Sequence, residues 1–204
     1  MFRVINFLAL IRWVAILTSA ISICVYEIAR RYWFTDITIF KILTITPWVS
    51  LLIIALLTTG IAARLIWKIL RTFNKSLFPD INGTWAGEIT TSEGTVIPAR
   101  ALIRQSLLQT QIDIHTKTSK SITLETTPVT ESGQSKVYYT YKAIPKNLSW
   151  FSYTGSTIFD VRTIAFVSGD FLELSGTYFT DRGKQGRIRL RQVNLEINTD
   201  VSFY

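Results

Sequence analysis

The 204-residue sequence has a net charge of +8 and a positive mean hydropathy, a combination that is unusual for an ordinary soluble domain. Residues 1–78 contain nine Lys and Arg against two acidic residues, whereas residues 79–204 contain thirteen against twelve. The basic surplus therefore belongs to the apolar first part. This favours anionic lipid headgroups as the electrostatic partner and argues against a soluble domain that binds long nucleic acid.

The first apolar segment predicts a transmembrane helix with charged residues near its ends. Its charge-free core, 13–26, has only 14 residues, which is too few for a hydrocarbon core of about 30 Å. A helix that starts near Ile5 would place Arg12 in its first turns, where the side chain can snorkel to the headgroups. A signal peptide is the alternative. It fits less well because the apolar run continues into Glu27 without a small-residue cleavage site.

The second apolar segment predicts a further transmembrane helix. It holds 22 uncharged residues, Ile42 to Ala63, with Pro47 near its start, where a missing N–H matters least. Basic residues at the two outer ends of the pair outnumber those in the loop, roughly 29–41, by six to three. We therefore expect a two-helix transmembrane hairpin with both termini in the cytoplasm.

Small residues recur four positions apart on the first helix. The pairs are Ala15 with Ser19, Thr18 with Ser22, and Ala20 with Cys24. Such spacing is typical of helices that approach closely in lipid, either within the hairpin or between protomers. Chance placement of common small residues is the alternative. Because Cys24 is the only cysteine, no disulfide forms within one chain.

Residues 79–204 predict an all-β domain. It follows segment 1–78, which comprises the transmembrane hairpin and an amphipathic connector at 64–78. Eighteen of these 126 residues are threonine, and alternating runs recur at short spacing. The eight candidate strands are Thr84–Thr90, Val96–Gln105, Gln109–Thr118, Ser121–Thr127, Val137–Ile144, Thr157–Val167, Phe171–Thr180 and Gly186–Leu195. Turn signals such as Glu131-Ser132-Gly133 separate several of them. We expect an antiparallel barrel of about eight strands, with a sandwich as the alternative; residues 98–108 could instead form a helix.

Two of the predicted strands carry polar aromatic residues at period two. Tyr139 and Tyr141 share one face of the fifth strand, and Tyr178 and Thr180 lie on the face that two leucines of the seventh strand assign to the interior. An eight-stranded barrel has room for one small ligand, and tyrosine offers a ring for stacking and a hydroxyl for hydrogen bonding. The alternative is that these tyrosines fill the core or cap the barrel.

The last predicted strand alternates arginine with aliphatic residues, at Arg187, Arg189 and Arg191. The plain interpretation turns the arginines toward solvent or headgroups, whereas faces inverted near the barrel mouth would bring one of them to a phosphate. We therefore keep Arg187, together with Gln105 at the end of the second strand, among the candidate ligand contacts. The sequence has no Gly-rich phosphate loop, metal-spaced cluster or Ser/His/Asp set with a plausible base. We expect a sensor or structural protein without metal or cofactor, not an enzyme.

Three segments follow the paired spans in an order that is similar to that of a known protein family. They are Phe78-Pro79-Asp80-Ile81-Asn82-Gly83-Thr84-Trp85, then Tyr139-x-Tyr141-x-Ala143-x-Pro145, then Leu174-Ser175-Gly176-Thr177-Tyr178-Phe179-Thr180 leading through Arg182-Gly183 to Gly186. In this order the chain resembles the two-transmembrane, β-strand-rich effectors of CBASS, the bacterial antiphage systems built around a cyclic-oligonucleotide synthase. An asparagine is common in the family where Ala143 stands. The Gly83-x-Trp85 start is also similar to that of lipocalins, so we expect Trp85 to close one end of a barrel.

The resemblance implies a mechanism. A synthase activated by phage infection makes a cyclic dinucleotide, the cytoplasmic barrel binds it, the protein oligomerises, and its helices disrupt the membrane and kill the infected cell. The candidate contacts for that ligand are Gln105, Tyr139, Tyr141, Tyr178, Thr180 and Arg187. Two alternatives stay open: a membrane-tethered, lipocalin-like barrel that binds a lipid or other apolar ligand, and a scaffold whose filled barrel binds only proteins.

Overall fold

The computed structural model describes residues 7–32, 39–58, 65, 69, 78–106, 109–166, 169–197 and 201. Contacts divide the chain into a helical unit within Ile5–Phe73 and a β unit within Asn74–Tyr204. The helical unit contains α1, Phe7–Tyr32, and α2, Ile39–Thr58. The β unit contains eight strands.

Helix α1 extends beyond its charge-free core at both ends, as we predicted from the shortness of that core. It continues past Arg12 and Glu27, and its segment Ile11–Ile28 is long and apolar enough to cross a membrane. In α2, the apolar stretch among the described residues is Thr46–Ala55, which is shorter than a membrane span. The predicted second span and the predicted connector extend into residues outside the described part of the chain. Two membrane spans therefore stay a prediction.

Helices α1 and α2 pack against each other. Among the described side chains of α1, Thr18 and Ser22 are buried, with exposures of 4% and 3%. Ser19 and Cys24 are exposed, and the Ser19 hydroxyl donates to the carbonyl oxygen of Ala15 at 3.0 Å. Of the three small-residue pairs in the sequence, Thr18 with Ser22 is thus the one that packing within the chain buries.

The eight strands form a closed antiparallel barrel in chain order, with β1 paired to β8. The strands are β1 Gly83–Thr91, β2 Val96–Gln105, β3 Thr110–His115, β4 Ser119–Glu131, β5 Gln134–Pro145, β6 Tyr153–Phe166, β7 Gly169–Thr180 and β8 Gln185–Asn194. The predicted barrel is confirmed, and each strand overlaps its predicted range. The helix considered for residues 98–108 is wrong, because β2 pairs continuously with β1 and β3.

The conformation of the turn between β4 and β5 is explained by its two residues. Ser132 and Gly133 both have positive φ, 50° and 77°. This is the conformation of a type I′ hairpin turn, whose twist matches that of the flanking strands. Glycine adopts it without steric cost.

One end of the barrel is plugged by the segment that enters it. Phe78, Ile81 and Trp85 are buried, and the indole N–H of Trp85 donates to the carbonyl oxygen of Ile81 at 3.0 Å. Asn82 joins this segment to β2: its amide donates to the Gln105 carbonyl oxygen at 3.1 Å and accepts from the Gln105 N–H at 2.6 Å. The Gln105 side chain accepts from the Ile81 N–H at 2.9 Å. Trp85 closes the barrel, as predicted.

The wall between β3 and β4 differs from the rest of the barrel. Backbone pairing there is confined to one residue pair at the start of β4. Farther along, hydroxyls replace backbone partners: Ser121 Oγ accepts from the Ile114 N–H at 2.9 Å, and Thr123 Oγ1 accepts from the Ile112 N–H at 2.8 Å. Thr123 also donates to the Ile112 carbonyl oxygen at 2.7 Å. The two strands are therefore held apart by the length of a side chain.

Candidate functional site

A cavity of about 120 Å³ opens at the end of the barrel opposite the plug. Its walls form three arcs that follow the strand order. An aliphatic arc comes from β8, β1, β2 and β3, a hydroxyl arc from the β3–β4 region, and a largely tyrosine arc from β5, β6 and β7. The lining residues are Ile188, Ile89, Ile97 and Ile114, then Thr116, Thr118, Ser119 and Ser121, then Tyr141, Ala143, Tyr153 and Tyr178.

Two of the tyrosine rings lie over glycines on the neighbouring strand. Tyr141 of β5 is opposite Gly155 of β6, and Tyr178 of β7 is opposite Gly186 of β8. A Cβ atom on Gly155 would lie 2.5 Å from the Tyr141 hydroxyl oxygen, and one on Gly186 would lie 2.7 Å from the Tyr178 ring. A larger residue at either position would collide with the ring and with a backbone carbonyl oxygen, that of Phe179 near Gly155 and that of Thr90 near Gly186. The two glycines therefore keep the tyrosines against the wall and the cavity open.

Tyr139 forms the floor of the site. Its side chain is 1% exposed, and its hydroxyl bonds to the Ile112 carbonyl oxygen and to Ser121 Oγ, both at 2.8 Å. Its ring stacks on that of Tyr141 with centroids 5.1 Å apart, and on that of Phe159 at 6.1 Å. Protein groups thus satisfy its hydroxyl, and its ring supports the tyrosine above it.

The hydroxyls at the cavity are neutral at physiological pH. Burial raises the pKa of Tyr141, Tyr153 and Tyr178 above the ordinary tyrosine value. Arg182 brings a positive charge to the rim: its guanidinium carbon lies 4.8 Å from the centre of the Tyr153 ring, and the group donates to the carbonyl oxygen of Phe151. The mouth of the cavity thus combines aromatic ring faces, neutral hydrogen-bond donors and one guanidinium group.

The structure brings half of the predicted ligand contacts together. Tyr141 and Tyr178 line the cavity, and Tyr139 lies directly beneath it. Thr180 belongs to the same inward row of β7 but lies at the rim, where its hydroxyl accepts from the Lys184 N–H at 3.1 Å. Ligand contacts by these four residues stay predictions.

The other two predicted contacts lie elsewhere. Gln105 is part of the plug at the opposite end of the barrel, where its side chain accepts from the Ile81 backbone. Arg187 is exposed on the outer face of β8, as are Arg189 and Arg191. Between them, Ile188 and Leu190 point inward and are buried. The faces of β8 are therefore not inverted near the mouth.

Sequence reasoning missed Tyr153, Arg182 and the whole hydroxyl arc. Strand β6 begins at Tyr153, four residues before its predicted start at Thr157. Period two extended back from Thr157 through Gly155 would have placed Tyr153 on the inner face. The hydroxyl arc had no comparable signal, because most of it lies in and beside the turn between β3 and β4, where strand alternation does not indicate which side chains face the cavity.

The sequence model of the family described as "Cap15, cyclic dinucleotide receptor domain" matches residues 76–192, more than half of the chain. The match begins just before the plug and ends within β8, so it contains every residue that lines the cavity. No curated protein matches the chain.

Proposed function

Because the chain belongs to the Cap15 cyclic dinucleotide receptor family, we propose that it is a membrane effector that kills phage-infected bacteria. The barrel is the receptor domain of a CBASS effector and has a cyclic dinucleotide as its ligand. In the proposed sequence of events, infection activates the synthase and the barrel binds its product in the cytoplasm. The protein then self-associates, and its helices breach the inner membrane.

The observation that supports this proposal best is the cavity at the mouth of the family-matched barrel. Tyrosine rings give a nucleobase a stacking surface, and their neutral hydroxyls give it hydrogen-bond donors. The guanidinium of Arg182 at the rim suits a phosphodiester, because its planar donors match phosphate oxygens. Bases and phosphates thus both find complementary groups at one mouth.

A lipid ligand fits this cavity less well. Seven of the twelve lining residues carry a hydroxyl, whereas an acyl chain requires an aliphatic wall. A scaffold with a filled barrel fits less well too, since the mouth is open.

Three features of the helical unit support a membrane role. The segment Ile11–Ile28 is long enough to span, large apolar side chains such as Trp13 and Trp48 are exposed, and α1 packs on α2 through small residues. We propose that both helices span the inner membrane. Because one hairpin has too few helices to enclose an aqueous path, membrane damage requires several protomers side by side.

Dye release from liposomes tests the whole sequence of events. Full-length protein should release dye when a matching cyclic dinucleotide is added, and crosslinking should then capture multimers. The same ligand should raise thermal stability, by about 2.7 kcal/mol at 100 times its Kd. Leakage from a protein that stays monomeric would contradict self-association. Stabilisation by fatty acids and by no cyclic dinucleotide would replace the nucleotide with a lipid.

A further inference from the structure

We propose that the cyclic dinucleotide binds half inside the barrel, with one base in the cavity and the second base on an exposed aromatic loop beside it. This loop, the mouth loop, is residues 147–152 between β5 and β6. The inference rests on the proposed ligand and adds where each of its two bases lies.

The size of the cavity admits one base. Its volume is about 120 Å³, close to the roughly 150 Å³ that accommodates a single benzene ring. Sites that enclose a drug-sized ligand occupy about 300–1,000 Å³. A molecule with two bases, two riboses and two phosphates therefore extends out of the mouth, and its outer half needs a second surface.

The mouth loop presents three large apolar side chains to solvent. Leu148, Trp150 and Phe151 are 101%, 55% and 84% exposed. Asn147 orders this loop: its Oδ1 accepts from the backbone N–H and the hydroxyl of Ser149 at 3.0 and 2.8 Å, and its carbonyl oxygen accepts from the Trp150 N–H at 3.1 Å. A turn fixed in this way holds its aromatic groups ready for a ligand, which lowers the entropy lost on binding.

An open depression of about 670 Å³ adjoins this loop. It is lined by Ser149, Trp150, Phe151, Ser152, Asp181 and Arg182. The Asp181 carboxylate accepts from the N–H and the hydroxyl of Thr154 at 2.9 and 2.8 Å. This contact fastens the β7–β8 turn to β6, so the two sides of the depression are joined to each other.

Arg182 lies where the cavity and the depression meet. Its guanidinium donates to the Phe151 carbonyl oxygen in the depression and lies over the ring of Tyr153 in the cavity wall. A ligand with one base in each place passes its phosphodiester link beside this group, and guanidinium is well suited to phosphate. The contacts of Arg182 with both sides and its positive charge together favour a cyclic dinucleotide as the occupant of the loop.

The two bases are then read differently. The base in the cavity faces the hydroxyl arc, which discriminates by hydrogen bonding. The base on Trp150 and Phe151 is held by stacking, which every base provides. We therefore expect the protein to be selective for one base of its ligand and tolerant of the other.

Titration of the full-length protein in detergent, with a panel of 3′,3′-cyclic dinucleotides and the corresponding mononucleotides, tests this. Trp150→Ala and Phe151→Ala should each weaken the best cyclic dinucleotide by roughly 5- to 150-fold, the usual range for losing one stacking partner. They should change the affinity for the mononucleotide of the enclosed base by less than about twofold. Trp150→Tyr should retain binding. Phe179→Ala, which removes an exposed aromatic ring from the outer face of β7, is the matched control.

Unchanged affinity for the cyclic dinucleotide in both alanine variants would overturn the second-base site, as would an equal loss for the mononucleotide. A wild-type protein that binds no cyclic dinucleotide would instead overturn the ligand itself. The titration of the wild-type protein thus separates failure of the inference from failure of the proposed function.

Discussion

Tyr139 and Tyr141 lie two positions apart on β5 and face the same way, yet their surroundings differ. The Tyr139 hydroxyl bonds to Ile112 and Ser121 beneath the cavity, whereas the Tyr141 ring lies over Gly155 in the cavity wall. Alternation along the strand was enough to predict their shared face. It could not predict their depth, which depends on residues of other strands.

The contact between Tyr141 and Gly155 gives a test of the cavity that removes no ligand contact. In Gly155→Ala, the new methyl group lies 2.5 Å from the unshifted Tyr141 hydroxyl oxygen and must push the ring into the lumen. We expect the affinity for a cyclic dinucleotide to fall at least roughly tenfold, because 1.4 kcal/mol of lost contact suffices for that. The melting temperature should fall as well, because the methyl group would also lie 2.9 Å from the backbone carbonyl oxygen of Phe179.

Calorimetric titration and thermal melts of the full-length protein measure the two effects. Ser156→Ala is the matched control, because Ser156 is the next residue of β6 and is exposed on the outer face. It should leave both affinity and melting temperature unchanged. If Gly155→Ala bound the ligand as tightly as the wild type, the position of the Tyr141 ring would not set the size of the opening.

At the scale of elements, alternation and turn residues predicted all eight strands. The predicted bounds of β2, Val96–Gln105, were correct at both ends. The gap between β3 and β4 could not be predicted, since hydroxyls of Ser121 and Thr123 that bond to a neighbouring backbone leave the alternation unchanged.

The packing of α1 on α2 gives a test of how the hairpin acts. Ser22→Leu places a bulky group in a position that is 3% exposed, so it should separate the helices and lower ligand-triggered dye release several-fold. Insertion should persist, because Leu favours the bilayer more than Ser does. Ser19→Leu makes the same change on the exposed face of α1 and should retain release. The opposite pattern would place the small-residue contact between protomers and not within one chain.

For the whole molecule, the sequence predicted a membrane part and a β part, and it favoured a barrel without excluding a sandwich. The choice depends on whether β8 returns to β1, and a pairing of strands so distant in the chain leaves no local signal. Nor could the sequence predict which end of the barrel is open. Which end is open follows from the plug of Phe78, Ile81 and Trp85 at the other end.

The orientation in the membrane is testable on the intact chain. Basic residues at the outer ends of the predicted hairpin predict that the barrel lies in the cytoplasm. A reporter that is active only in the cytoplasm should therefore work when fused after Tyr204, and a reporter that requires the periplasm should fail there. Activity of the periplasmic reporter alone would remove the barrel from the compartment in which the second messenger is made.

The closure of the barrel has a consequence for the time at which a new chain can respond. Thr84 of β1 and Asn194 of β8 share a hydrogen bond of 2.7 Å across a separation of 110 residues. At about 5–20 residues per second, β8 leaves the ribosome roughly 5–20 s after β1. Ile89 and Ile188 of these strands both line the cavity, so the binding site does not exist before that moment. Because α1 and α2 precede β1, a newly synthesised chain has its apolar helices first. During that interval its cavity is incomplete, and the chain cannot bind the second messenger.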